Sequence, residues 1–340
     1  MKYVTLEEVC ENRTSNISQK DLKGNEGIYP IYGASGLIKK VDFYIQDKEY
    51  IGIVKDGAGV GRTMLLPSKS SVIGTMQYII PKGSLNIKYL YYALISKKLS
   101  KYSSGATIPH IYFRDYKKEK IVLISEIEQQ KIVSILDKIV SLIEKNKKRI
   151  ILLEELVKSR FIEMFGDTIK NDKGWEVKKW EEVLKIINGK NQKKVENESG
   201  KYDIFGSGGK MGKADDWLVK ENSVLIGRKG SINKPIIVKE KIWNVDTVFG
   251  LEPNIEIINC DYLYYFCYFY DFERLNKAVT IPSLTKKDLL KIDIPIPPLV
   301  LQEKFVLIHK SINKLKFEAE KSLKEMENLY DSLMQKFFKQ

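Results

Sequence analysis

The 340-residue chain is long for one ordinary compact domain and suits two, each large enough to bury its own core. Hydrophobic residues make up 43% and charged residues 30%, an ordinary globular balance, and no apolar run approaches a membrane span. The formal charge of +13 favours a polyanionic partner, through phosphate neutralisation and counterion release. Cys10, Cys260 and Cys267 form no C-x-x-C pair, and His110 and His309 are the only histidines. That set suits buried thiols in a reducing compartment and argues against a disulfide frame or zinc site. The stretch from Met1 to Glu8 has no apolar signal core, so a cytoplasmic location is expected.

Taken in order, the first part of the chain reads as short strands rich in Ile, Val, Tyr and Phe, punctuated by Gly and Pro. Tyr29-Pro30-Ile31-Tyr32-Gly33-Ala34-Ser35-Gly36 leads to strand-like Tyr50–Val54 and Met76–Ile80. A short helix carrying Tyr89-Leu90-Tyr91-Tyr92 follows, then Thr107-Ile108-Pro109, and the segment closes on Lys120–Ile124. A long helix is expected from Glu126 to Phe165.

The same order then repeats 173 positions on. Tyr202-Asp203-Ile204-Phe205-Gly206-Ser207-Gly208-Gly209 matches the first glycine element, and Ile226–Gly230 matches Ile53–Gly57. Tyr262–Tyr265 matches Tyr89–Tyr92, Thr280–Pro282 matches Thr107–Pro109, Asp288 matches Asp115, and Gln302 matches Gln129. One such pairing could be chance; several in register are a duplication. A second long helix is expected from Leu301 to Phe338. The predicted fold class is therefore α+β: two duplicated α/β domains joined by two long antiparallel coiled-coil helices with pseudo-twofold symmetry. The expected boundaries are 1–125, 126–166 (helix), 167–299 and 300–340 (helix).

The first long helix has apolar residues at alternating steps of four and three: Ile132, Leu136, Ile139, Ile143, Ile150, Leu153, Val157 and Met164. Asn146 and Arg160 interrupt this seam; Asn146 is either a register-fixing polar residue or merely a tolerated one. The second seam runs Phe305, Ile308, Ile312, Leu315, Ala319, Leu323, Met326, Leu329, Leu333, Phe337. About forty residues at ~1.5 Å each make a rod of roughly 60 Å. Its mixed charge marks a solvated or partner-binding surface.

Both copies place hydrogen-bonding and cationic side chains in matching loops, as base reading and phosphate contact require. In the first copy these are Ser35, Lys39, Lys40, Lys55, Arg62, His110, Tyr112 and Arg114. In the second they are Ser207, Lys210, Lys213, Arg228, Lys229, Ser283, Thr285, Lys286 and Lys287. The copies agree in Gly, Tyr and Pro and differ in these polar positions, as two readers of different sequences should. The element glycines read as turn residues needing positive φ. Tyr91, Tyr92, Tyr264 and Tyr265 read as core, and His309 as structural.

Catalytic signatures are weak. Asp56-Gly57-Ala58-Gly59-Val60-Gly61 resembles a nucleotide or S-adenosylmethionine loop, but Arg62–Pro67 reads as a strand where such a loop needs a helix N-terminus. A tight hairpin turn is the preferred reading. No Walker A or G-x-S-x-G sequence is present, and Pro297-Pro298 lacks the flanks of an adenine methyltransferase motif.

Three features carry a family resemblance. They are the paired Tyr29-x-x-Tyr32-Gly33-x-x-Gly36 and Tyr202-x-x-Phe205-Gly206-x-x-Gly209 elements, the Ile294–Leu299 Pro-rich run with Gln302, and the helix ends Lys158–Gly166 and Leu329–Lys336. In order and duplication, the chain resembles the specificity subunit of type I restriction-modification enzymes. Two departures are evident: the first copy ends Leu123-Ile124-Ser125-Glu126 without Pro-Pro-Leu, and the chain is short for the family.

The resemblance implies that each target recognition domain binds one half of a split double-stranded DNA site, while the coiled coil sets the unread spacer. It further implies docking of two modification (methyltransferase) subunits and two ATP-driven restriction subunits. Those partners are expected to use S-adenosylmethionine, ATP and Mg, with no cofactor or metal held by this chain. Two other readings stand beside it: a coiled-coil scaffold whose twin domains bind protein or RNA, and an S-adenosylmethionine-dependent enzyme using Gly57–Gly61.

Overall fold

A computed structural model describes residues 2–105, 107–276 and 280–338, which fall into two compact units. One comprises Met1–Lys147 with Lys321–Gln340, the other Lys148–Glu320.

In the first unit a four-stranded antiparallel sheet runs in the order Cys10–Thr14, Met76–Pro81, Tyr50–Val54, Thr63–Leu66. Tyr50–Val54 is buried at every position, as its unbroken apolar run demands of a strand paired on both sides. A three-stranded sheet lies in the order Gly36–Val41, Tyr29–Gly33, Ser71–Val72, the last pair parallel. Lys2–Thr5 pairs antiparallel with Lys120–Leu123. The second unit repeats this plan. Its sheets are ordered Leu184–Asn188, Val248–Pro253, Ser223–Gly227, Ile236–Val238 and Gly209–Ala214, Tyr202–Gly206, Ile242–Asn244, with Glu176–Lys179 against Asp293–Ile296.

Each unit has a short apolar helix, Ile87–Ser96 or Cys260–Phe269, opened by an asparagine N-cap. Asn86 Oδ1 accepts from Lys88 N and Tyr89 N, and Asn259 Oδ1 from Tyr262 N. The repeated glutamine ties each short helix to a long one. Gln129 Oε1 accepts from Asn86 N at 2.8 Å while its Nε2 donates to Ile124 O at 2.9 Å. Gln302 Oε1 accepts from Asn259 N at 2.9 Å, and its Nε2 donates to Pro297 O and Ile257 O. Both side chains are buried, so each satisfies backbone groups that water cannot reach.

The long helices span Glu126–Phe165 and Leu299–Phe338. Ser125 and Glu128 form a capping box at the first start. The second begins two residues before the expected Leu301, because Pro298 O already accepts from Leu301 N and Gln302 N. Gly166, at φ 77°, ends the first helix by donating from its N to Ile162 O. Within the first unit Lys147 pairs with Glu327, and Val133 and Leu136 share a core with Met334 and Phe338. Within the second, Glu154 pairs with Lys316, and Phe161 packs on Phe305. Numbers rise on one helix as they fall on the other, so the segments are antiparallel in both units.

The seams differ from the spacing read in the sequence. Val133, Phe161 and Phe165 are buried where Ile132 and Met164 were expected, so Arg160 does not interrupt the buried face. On the second helix His309, Met334 and Phe338 are buried, whereas Leu315 and Leu329 are exposed. An α-helix drifts ~20° per heptad against a strict repeat, and the rings of the short helix recruit whichever side chains reach them. Phe161 meets Tyr262, Tyr265, Phe269 and Phe305 at 5.4–5.6 Å, a preference for aromatic packing that overrides the heptad. Tyr92 and Tyr265 are buried; Tyr91 and Tyr264 are half-buried against the same cores.

Candidate nucleic-acid interface

Three loops distant in sequence meet in each unit. In the first they are the turn at Gly33–Gly36, the hairpin joining Tyr50–Val54 to Thr63–Leu66, and the segment around His110. Ile111 N donates to Lys55 O at 2.8 Å, Gly57 N to Pro109 O at 2.8 Å, and Lys55 N to Thr75 O at 2.9 Å. The second unit makes the matching bonds: Leu284 N to Arg228 O at 2.9 Å, Gly230 N to Pro282 O at 3.0 Å, and Arg228 N to Thr247 O at 2.7 Å. The turn joins them through Arg62, whose Nη1 donates to Ala34 O at 2.8 Å. Ser35, Asp56, Gly57, Gly59 and Arg62 border a surface depression of about 570 Å³. In the second unit a Cβ at Gly230 would stand 3.6 Å from Ser207 Oγ, so the same turn approaches the same hairpin.

The element glycines play two roles, only one of which was expected. Gly36 and Gly209 have φ of 111° and 119° and close their turns in conformations that side chains resist. Gly33 and Gly206 are not in that region; a Cβ there would lie 2.9 Å from Ile38 Cδ1 or Met211 Sδ. Their missing side chain makes room for a cross-strand apolar residue. Gly57–Gly61 leads directly into strand Thr63–Leu66 and not into a helix.

Several expected contact residues gather on these loops. Ser35, Arg62, Tyr112, Arg114 and Lys229 are exposed, and Lys55, His110, Ser207, Arg228 and Ser283 are half-buried. Lys55 Nζ lies 3.0 Å from Asp56 Oδ2, and the Arg114 guanidinium sits 4.7 Å from the Tyr112 ring centre. His110 has ring nitrogens 3.2 Å from Ser104 Oγ and 3.3 Å from Ile108 O. Arg228 lies over the Phe249 ring.

Others are held by internal partners. Lys39 Nζ donates to Leu22 O, and Lys286 Nζ to Ile186 O at 2.8 Å. Lys210 and Lys213 both face Asp203, at 2.8 and 3.6 Å. Thr285 Oγ1 caps the turn Lys286–Leu289 by accepting from Asp288 N. Lys40 and Lys287 are exposed. Sequence reasoning missed Asp56 as an acid among the cations, and Thr75 and Thr247 as backbone clips. The last two follow only from chain pairing.

Among the described residues no group of three His, Cys, Asp or Glu side chains is placed to hold a metal ion. Burial pushes the Cys10 and Cys260 thiols up to about 12, and raises Cys267 well above the ordinary thiol value. None is therefore a ready thiolate at neutral pH. No helix of the described residues is long and apolar enough to cross a membrane.

Comparison with known proteins gives a consistent picture. A family described as the type I restriction modification DNA specificity domain matches residues 1–155 and again 172–328. The specificity subunit of the type I restriction enzyme MjaIX from Methanocaldococcus jannaschii is 25% identical over 370 residues, covering 94% of this chain and 84% of that protein. The crystal structure of a type I restriction-modification S subunit from M. genitalium superposes with a TM-score of 0.70 at 19% identity, covering 99% and 96% of the two chains. A chain from a structural study of type I restriction-modification complex assembly and conformational transition gives 0.61 at 17% identity, covering 99% and 97%.

Proposed function

We propose that this chain, which belongs to the type I restriction-modification DNA specificity family, reads a bipartite double-stranded DNA site with one three-loop surface per copy. It is a DNA-specificity subunit, a binding component that recognises DNA through its target recognition domains. The observation that carries the two-reader form is the repeated backbone clipping of the loops at Lys55–Gly57 and Arg228–Gly230. Matching backbone clips hold the loops that carry Lys55, Asp56 and His110 in one copy, with Arg62 nearby, and Arg228, Lys229 and Ser283 in the other. Cations position phosphate, while Asp56, His110 and Ser283 offer donors and acceptors to base edges.

We assign target recognition domains to 1–125 and 167–299, and spacing helices to 126–166 and 300–340. DNA-contact roles go to Ser35, Lys40, Lys55, Arg62, His110, Tyr112 and Arg114, and to Ser207, Arg228, Lys229, Ser283 and Lys287. Lys39, Lys210, Lys213, Thr285 and Lys286 join them by exchanging an internal partner for DNA, as Lys55 does with Asp56. The helices would dock two modification subunits, and two restriction subunits would complete the assembly. Ile135 and Leu142 in the first unit, and Ile151, Leu152, Leu307 and Phe317 in the second, are exposed apolar side chains suited to such docking.

Footprinting of the chain with its modification subunits tests the proposal. Two protected half-sites separated by an unread spacer are expected; one continuous footprint, or none, overturns it.

A further inference from the structure

Ile108 and Ile281 occupy matched places in the two Thr-Ile-Pro elements and are 64% and 60% exposed. Single exposed apolar residues are commonplace and carry no meaning alone. These two stand apart because the backbone holds both beside the cationic hairpins. The prolines that follow them accept from Gly57 N and Gly230 N, and the next residues but one donate to Lys55 O and Arg228 O. The first loop is closed by paired bonds between Ser104 and His110, N to O at 3.0 and 2.8 Å. Gly105, at φ 97°, lets it fold so tightly that a Cβ there would lie 2.6 Å from Ile108 O. Two residues after Ile281, Ser283 N donates to Asn276 Oδ1 at 3.1 Å.

We propose that Ile108 and Ile281 are apolar base contacts, each pressing on the bases of one half-site while the neighbouring cations hold phosphate. The assignment rests on the two-reader function above. A branched side chain held on a closed loop loses little freedom on contact. Bases offer it two apolar targets, the thymine methyl in the major groove and the stacked faces at a base step. The charge around each loop explains attraction to DNA, but it carries no preference among bases. The isoleucines supply a contact that depends on the base met.

The test uses the full chain with its modification subunits and a duplex that the wild-type assembly selects from a randomised library. Ile108→Ala is expected to lower affinity roughly ten-fold through one half-site, and Ile281→Ala through the other. The salt dependence should be unchanged, since no phosphate contact is lost. Ile108→Leu should restore most of the affinity. With wild type, weakening by uracil in place of thymine assigns the methyl contact; a rise in 2-aminopurine fluorescence assigns insertion at a step.

Wild-type affinity in Ile108→Ala, a reduced salt slope, equal loss at both half-sites, or neither base response overturns the inference while leaving the two-reader function standing. Failure of the wild-type assembly to select any bipartite duplex overturns that function, and the inference with it.

Discussion

The Asp261 carboxylate accepts from His309 Nδ1 at 2.7 Å, joining the short helix of the second unit to its long helix inside a core from which both side chains are nearly excluded from water. Lys239 Nζ lies 3.0 Å from the other carboxylate oxygen. On its far side His309 faces Tyr265 Oη and Asn313 Nδ2. The first unit solves the same problem with other residues: Asp137 accepts from Tyr92 Oη at 2.7 Å and pairs with Lys88 at 2.6 Å. Tyr92 and Tyr265 match in the repeat, but the acid beside them sits on the long helix in one unit and on the short helix in the other. The duplicated helices have thus kept the polar tie while exchanging which helix carries the acid.

Removing one partner of the buried tie leaves the other without its bond. Asp261→Ala and His309→Ala should each destabilise the protein by about 1–3 kcal/mol, read by chemical denaturation. A change near zero in both would show the tie to be dispensable.

The same tie has a pH signature. Burial by itself raises the Asp261 carboxyl, but hydrogen bonds from His309 and Lys239, with the charge of Lys239, leave it below the ordinary carboxylate value. A depressed folded value stabilises the protein fully above the unfolded pKa of about 3.9. That contribution is lost as pH falls through the depressed value. Asp261→Asn should therefore lose stability at neutral pH and show a shallower further loss in acid than wild type. Parallel acid curves would refute the assignment.

Lys55→Ala and Arg228→Ala should each weaken one half-site only. Lys55 also screens Asp56, so its loss leaves a carboxylate facing phosphate, and the penalty should exceed that of a single contact. The salt slope should fall by about 1 for each phosphate contact removed. Equal weakening of both half-sites by either variant would contradict the two-reader arrangement.

Gly61 has φ of 82°, and a Cβ there would stand 2.4 Å from Ser100 N. Gly61→Ala combines backbone strain with a collision against main chain, and should cost about 1–3 kcal/mol or more. Gly57, at φ 92° with open space around it, carries only the strain. Gly57→Ala should therefore be the milder of the two in thermal melts.

Leu307→Ser and Phe317→Ser remove exposed side chains and should change stability by less than about 0.5 kcal/mol. Both should reduce retention of modification subunits in affinity purification. Full retention by the double variant would move the docking surface elsewhere.

The duplication was legible because its glycines, tyrosines and prolines serve backbone and core, where two copies of one fold tolerate little change. The long helices were legible from their periodicity, and the repeated Gln129 and Gln302 from their shared offset. The buried faces of those helices were not. Phe161 and His309 are selected by rings and a carboxylate on another element, which no local period encodes. Nor could sequence show that Lys286 and Lys39 spend their charge on carbonyls, since Ile186 and Leu22 are brought there by folding.

The sequence by itself determined that there are two similar domains with cations in their loops, each followed by a long helix, and that their polar loop residues differ. Only tertiary structure decided which loops meet. Hydrogen bonds between backbone atoms, blind to side-chain identity, clip 55–57 to 109–111 and 228–230 to 282–284. A contact made by atoms common to every residue leaves no residue-specific trace in a sequence.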